Sequence, residues 1–155
     1  MARTVLTEKQ LRNSVFDKTK LEALVAKLAE LDAAAPEKKT VTVAETSLTG
    51  TSQAVNVDTA LPTNAVVLAH EIKVNTQGVL AGNDLTITLG GTDADAIVAS
   101  TDLDTLAPGN YQGTLGVHPR GSFSGEQLVA TFAASNLASL SAGNWTITVW
   151  YSVLP

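Results

Sequence analysis

The sequence predicts a mainly β protein: an antiparallel β-sandwich or jelly roll of about seven to eight strands, preceded by an N-terminal α-helical arm. Three observations carry that expectation. From Lys39 onward apolar residues recur with a period of two, in segments rich in Val, Ile and Thr. Turn signals divide these segments at short intervals, without the helical spacers that a parallel sheet requires. The first 35 residues follow a helical period instead. The chain therefore reads as an arm over 1–38 and a β domain over 39–155.

The arm opens with two capping boxes. Thr7-Glu8-Lys9-Gln10 and Thr19-Lys20-Leu21-Glu22 each place a hydroxyl three residues before a Gln or Glu, so each can satisfy free backbone N–H groups at a helix start. In "KLEALVAKLAELDAAA" Leu21, Leu24, Leu28 and Leu31 alternate spacings of three and four, and Val25 widens the stripe. Ala and Leu favour the helix and Pro36 ends it. Two heptads fall short of a coiled coil, for which three or four are needed. The stripe has two plausible destinations: the chain's own β domain, or a neighbouring subunit or larger surface. Its polar face mixes both charge signs, which argues against membrane insertion.

The strand candidates follow in order: "TVTV" (40–43), "AVNV" (54–57), "AVVLAHEIKV" (65–74), "DLTITL" (84–89), "AIVAS" (96–100), "QLVATFAA" (127–134) and "NWTITVWYSVL" (144–154). Turn signals lie at 61–64, 81–84, 106–110, 118–126 and 141–144, where Gly, Pro, Asn and Asp gather. In the last strand Trp145, Ile147, Val149, Tyr151 and Val153 share one face and are expected in the core. Trp150 then faces outward among Thr and Ser, to be covered by the arm, by a neighbouring subunit or by a sugar.

Composition narrows the function. The 155 residues are 45% hydrophobic but only 16% charged, against a usual figure of about 25%. Such a composition fits a β-rich domain that hides part of its surface in an assembly. With no cysteine, the chain has neither disulfides nor thiolate chemistry. No signal-peptide core and no apolar run of about 20 residues is present, so the expectation is a soluble protein made in a cytoplasm. The net charge of −5 is split: residues 1–39 hold eight basic residues against six acids, and residues 40–155 hold two against nine. A nucleic-acid partner is not expected, because the basic residues are interspersed with acids and the β domain would repel phosphate.

The densest chemistry-bearing stretch is "LGGTDADAIVASTDLDT", with Asp93, Asp95, Asp102 and Asp104 inside twelve residues. An EF-hand loop would need a third ligand and a glycine after Asp95, where Ile97 and Val98 stand instead. The aspartates are expected to shape turns by bonding nearby backbone. Neither pair is expected to provide the raised-pKa partner that glycoside hydrolysis requires, since no acid but Glu71 stands in a distinctly apolar stretch, and Glu71 reads equally as an outward strand residue. His70 and His118 are too few for an imidazole metal triad, and "GSFSG" (121–125) has Phe123 where a nucleophile elbow has serine. No enzymatic activity, cofactor or resident metal is expected. Trp150, Tyr111 and Phe123 are the aromatic candidates for an interface or a glycan contact.

The runs "LPTNAVVLAHEIKVNTQG", "NDLTITLGGTDADAIVASTDLDTLAPGNYQGTLG" and "GNWTITVWYSV" together resemble tailed-bacteriophage virion structural proteins with jelly-roll-like β domains, over residues 55–153. The resemblance implies a non-enzymatic capsid decoration (cement) protein on the capsid surface. Its partners would be the major capsid protein and further copies of itself, as a homotrimer. The expected anchor is the stripe Leu21, Leu24, Val25, Leu28 and Leu31. The alternative is a receptor- or glycan-binding tail or fibre module.

Overall fold

A computed structural model describes residues 22–27, 36–82, 84–113 and 123–154. The chain divides into two compact units, Met1–Ala35 and Pro36–Pro155. In the first, residues 22–27 are helical, and Leu24 and Val25 are about half exposed. Leu21, Leu28 and Leu31 lie outside the described residues, as do the first capping box, all of the second but Glu22, and His118 and Arg120.

Among its described residues the second unit forms a sandwich of eight strands: β1 (Glu37–Ala44), β2 (Ser52–Asn56), β3 (Ala65–Val79), β4 (Thr86–Gly90), β5 (Val98–Asp102), β6 (Gly109–Gly113), β7 (Val129–Ala133) and β8 (Ala142–Val153). One sheet has the order β1-β8-β3-β6, the other β2-β7-β4-β5, and every pairing is antiparallel. The order has a simple origin. β1 pairs with β8, β2 with β7, β3 with β6 and β4 with β5, as in one long hairpin. Winding that hairpin on itself brings β3 beside β8 and β4 beside β7, which is the jelly-roll arrangement.

The core follows from alternation. The first sheet turns Val43, Val67, Ile72, Val74, Trp145, Ile147, Val149 and Tyr151 inward, and the second supplies Ile87, Leu89, Ala130 and Phe132. Loop residues close the ends, among them Leu48, Val57, Leu61, Leu85, Leu103, Leu128 and Leu137. Trp145 and Phe132 meet across the layers with ring centroids 5.3 Å apart. Val153, expected in the core, is only partly buried and packs at its margin.

Three details depart from the alternation seen in the sequence. β6 occupies Gly109–Gly113, overlapping the turn expected at 106–110; it is a short edge strand held by His70–Val74 of β3. β5 begins at Val98, two residues later than expected, because Ala96 and Ile97 still belong to the buried turn that follows Gly90. β3 runs for 15 residues with register shifts between Val67 and Ala69, between Val74 and Thr76, and between Thr76 and Val79.

Candidate functional site

The outer face of the β1-β8-β3-β6 sheet carries the features that the sequence singles out. On β8, Asn144, Thr146, Thr148, Trp150 and Ser152 point away from the core, since Trp145, Ile147, Val149 and Tyr151 between them are buried. β1 sets Thr42, Thr40 and Lys38 opposite Thr146, Thr148 and Trp150. From the other side β3 sets Lys73, Glu71 and Ala69 opposite the same three residues, and Val66 opposite Ser152.

The middle of this face is a ladder of uncharged hydrogen bonds. Thr40 and Thr148 hydroxyls lie 3.3 Å apart, and those of Thr42 and Thr146 3.1 Å. Asn75 Nδ2 donates to Asn144 Oδ1 at 2.8 Å and to Thr146 Oγ1 at 2.9 Å. Cross-strand Thr pairs of this kind stiffen a sheet without adding charge. Glu71 is an outward residue, and its carboxylate accepts from Gln112 Nε2 on β6 at 2.8 Å.

One end of the face is apolar. The irregularity between Val67 and Ala69 leaves Leu68 39% exposed. Trp150 is half-buried opposite Ala69, and Val66 is partly exposed one pair further on. Lys38 borders this region opposite Trp150, and Lys73 lies further along the face opposite Thr146; both are exposed.

The other aromatic candidates have different surroundings. Phe123 is a correction: it is only 6% exposed, so it is a core residue and offers no surface for a partner or a sugar. Its backbone N–H donates to Ala65 O, and Gly125 N–H donates to Pro62 O, which folds the 123–126 turn over the 62–65 turn. Tyr111 on β6 packs against the core edge, and its hydroxyl donates to Ala107 O at 2.8 Å.

The four aspartates fall in two separate turns. Asp93 O accepts from the backbone N–H groups of Gly91 and Ala96, shaping the β4–β5 loop, where Asp93 and Asp95 are exposed. Glu126 joins this end, its carboxylate accepting from Thr92 N at 2.7 Å. After β5, Asp102 Oδ1 accepts from Asp104 N at 2.8 Å, and Asp104 Oδ2 accepts from Leu85 N at 2.6 Å. Asp104 is buried and its Oδ1 has no hydrogen-bond partner. Burial raises its pKa, the Leu85 N–H opposes the shift, and the carboxylates of Asp102 and Asp84 add to it. His70 points inward from β3; burial lowers its pKa, and its Nδ1 has no partner.

Charge is segregated between the layers. The strands of the Trp150 sheet hold Lys38, Lys39 and Lys73 with only Glu37 and Glu71. The second sheet and the connections hold Glu45, Asp58, Asp84, Asp93, Asp95, Asp102, Asp104 and Glu126, with no basic residue among the described residues. The sequence showed the acidity of the β domain but not this division. Only the sheet order places β1 and β3, which carry the lysines, on either side of β8.

The fold and this face define a jelly-roll domain with a basic, partly apolar sheet and an acidic opposite layer. No protein-family model matches the sequence, and no curated protein aligns with it significantly. Solved structures do share the fold. The chain is similar to a chain of the cyanophage Pam1 capsid asymmetric unit, at 21% identity and a TM-score of 0.59, over 77% of this chain and 86% of that one. It is similar to a chain of the capsid of Ralstonia phage GP4, at 12% identity and a TM-score of 0.51, over 77% and 84% of the two chains. A looser likeness, at 11% identity and a TM-score of 0.46, extends to the acidic stable capsid structure of Helicobacter pylori bacteriophage KHP30. At these identities the likeness is one of fold.

Proposed function

We propose that this chain is a bacteriophage virion structural protein and, within that class, a non-enzymatic capsid decoration (cement) protein. The observation that carries the reading is the fold shared with the cyanophage capsid chain over most of both chains. A fold alone does not assign a function, so the rest of the support is physical. The sandwich has its own closed core, and Leu68, Val79 and Leu154 are its only large apolar side chains that are strongly exposed among the described residues. A unit of this kind folds without a shell around it and attaches through a limited surface.

In this reading the leucine stripe of Leu21, Leu24, Val25, Leu28 and Leu31 anchors the protein on the major capsid protein. The acidic β domain faces solvent on the capsid surface. The protein is made in the host cytoplasm and works as a homotrimer. The glycan-binding alternative is the less favoured: Phe123 is buried and the Tyr111 hydroxyl is already bonded, so Trp150 is left without a second free ring.

The test is sedimentation of the protein with empty capsids assembled from the major capsid protein. The full chain is expected to co-sediment at saturable stoichiometry, and a variant lacking 1–35 is expected to lose that binding while keeping its β-sheet circular dichroism. Full capsid affinity in the shortened protein would rule out the anchor. Absence of binding by the full chain would rule out decoration.

A further inference from the structure

The segregation of charge suggests how one copy recognises another. We propose that copies of this chain associate head to tail, the Trp150 face of one copy seating the β4–β5 loop of the next. The proposal deepens the decoration reading, and it rests on that reading only for the place where the oligomer works.

The two surfaces are complementary in charge and chemistry. On one side Lys38 and Lys73 are exposed, and among the described residues neither has an ion-pair partner. Lys39, the third lysine of the sheet, is already engaged by Asp58 at 3.8 Å and by Thr59 Oγ1 at 2.6 Å, so it takes no part. Trp150, paired with Lys38 on β1, and Leu68 form an aromatic and an aliphatic surface at one end of an otherwise hydroxyl-lined sheet, while Lys73 stands further along the face opposite Thr146, beyond Glu71. A large aromatic ring in a partly apolar patch is the anchor that interface centres favour, and lysines suit the polar rim around it.

On the other side the β4–β5 loop presents exposed Asp93 and Asp95, with Glu126 held beside it on Thr92 N–H. The loop is shaped from within: Gly91 N–H and Ala96 N–H both donate to Asp93 O, and a Cβ at Gly90 would collide with that same oxygen. A loop fixed by its own backbone loses little freedom when it docks.

The basic face belongs to one sheet and the acidic loop to the other, so the proposed contact joins two different patches of the chain. The contact joins unlike surfaces, and a head-to-tail contact of this kind closes into a ring or continues into a filament. A ring agrees with a small oligomer at a point of symmetry on a shell. Opposite charges at the rim also set the register and speed the encounter, and salt weakens both effects.

The experiment uses the full chain in solution without capsids, followed by sedimentation equilibrium at about 0.1 M and about 1 M salt, where the Debye length falls from about 10 to about 3 Å. The wild type is expected to self-associate, more weakly at the higher salt. Lys38→Glu/Lys73→Glu and, separately, Asp95→Lys are expected to lower the association constant about tenfold or more at low salt. All three positions are exposed, so both variants keep the wild-type melting curve. Mixed in equal amounts, the two variants are expected to regain association, because each then offers the charge that the other lacks. Wild-type association in both variants overturns the proposal, as does a chain that stays monomeric at every concentration, or a mixture that regains nothing. Capsid binding is read separately. A protein that self-associates as expected but ignores capsids removes the decoration reading and leaves this one standing.

Discussion

Trp145 on β8 packs against Phe132 on β7 with their rings tilted at 47° and their centroids 5.3 Å apart, which joins the two sheets at the centre of the sandwich. Both side chains are fully buried. The tilted arrangement is the one that aromatic quadrupoles favour, and it adds to the area that each ring removes from water. Phe132→Ala is expected to cost about 3–5 kcal/mol, since the cavity would be lined by two rigid sheets that cannot collapse into it. Urea unfolding at neutral pH measures this. A loss below about 1 kcal/mol would show that the ring pair does not hold the layers together.

The same indole dictates a glycine. At Gly143 φ is +154°, and an added Cβ would run into the six-membered ring of Trp145. Gly78 covers the ring from β3, where a Cβ would lie 3.0 Å from Trp145 Cζ2 and 2.8 Å from Leu85 Cδ2. Gly143→Ala is therefore expected to destabilise the fold by about 1–3 kcal/mol or more, through overpacking together with a backbone conformation unsuited to alanine. In the Trp145→Phe background the clash should ease, so the double variant should lose less than the sum of the two single changes. Additive losses in a thermodynamic cycle would refute the steric account.

How far the sequence discloses this architecture can be judged from particular residues. β8 is largely legible, because Trp145, Ile147, Val149 and Tyr151 recur at every second position and all turn inward, although Thr148 between them is buried too and Val153 falls at the core margin. β6 is not, because "GNYQG" has a glycine at each end and a single ring, and only pairing with β3 makes it a strand. Phe123 misleads for a similar reason. Its neighbours Gly121, Ser122, Ser124 and Gly125 read as a surface turn, and its burial depends on Ala65 and Pro62, some sixty residues earlier in the chain. The leucine stripe was plain from its spacing, yet of that stripe only Leu24 and Val25 fall within the described residues. The basic face was invisible in the sequence, because Lys38 and Lys73 come together only through the order of strands in the sheet.

Tyr151 is 3% exposed, and its hydroxyl donates to Glu37 Oε2 at 2.6 Å, fastening the first residue of β1 to its partner on β8. The bond to Glu37 is the main cause, with burial next, of a phenol pKa pushed up to about 12. A group whose folded pKa lies above its unfolded value gives stability that is complete below the unfolded pKa and is lost as pH rises through the folded one. The contribution of Tyr151 should therefore hold up to its ordinary value of 10.0 and fade from there towards about 12. Tyr151→Phe is expected to cost about 1.5–3 kcal/mol, as for a hydrogen bond to a charged group, and to flatten the alkaline limb of the stability profile. Equal alkaline limbs in the two proteins would show that the phenol is not the titrating group.

His70 and Asp104 are both buried, and their pKa values are shifted in opposite directions, so they should leave opposite marks on the pH profile. His70 is depressed below its usual 6.5 by burial. Its share of stability is therefore present above 6.5 and is lost as pH falls through the lower folded value, because the unfolded chain takes up the proton first. Asp104 is raised above its usual 3.8, chiefly by burial. Its share is complete below 3.8 and is lost as pH rises through the folded value, because ionisation there leaves a charge on a carboxylate with an unpartnered buried oxygen. His70→Leu should therefore gain on the wild type as pH falls below 6.5, whereas Asp104→Asn, which can still accept from Leu85 N–H, should gain on it as pH rises above 3.8. Asp104→Ala serves as the contrast: it leaves the buried Leu85 N–H unpaired and is expected to cost about 1–3 kcal/mol at low pH, where the charge is already absent. Unfolding free energies from urea titrations across the acid range decide the matter. If Asp104→Asn differs from the wild type by the same amount at every pH, the buried carboxyl does not titrate on folding and its link to Leu85 is structural only.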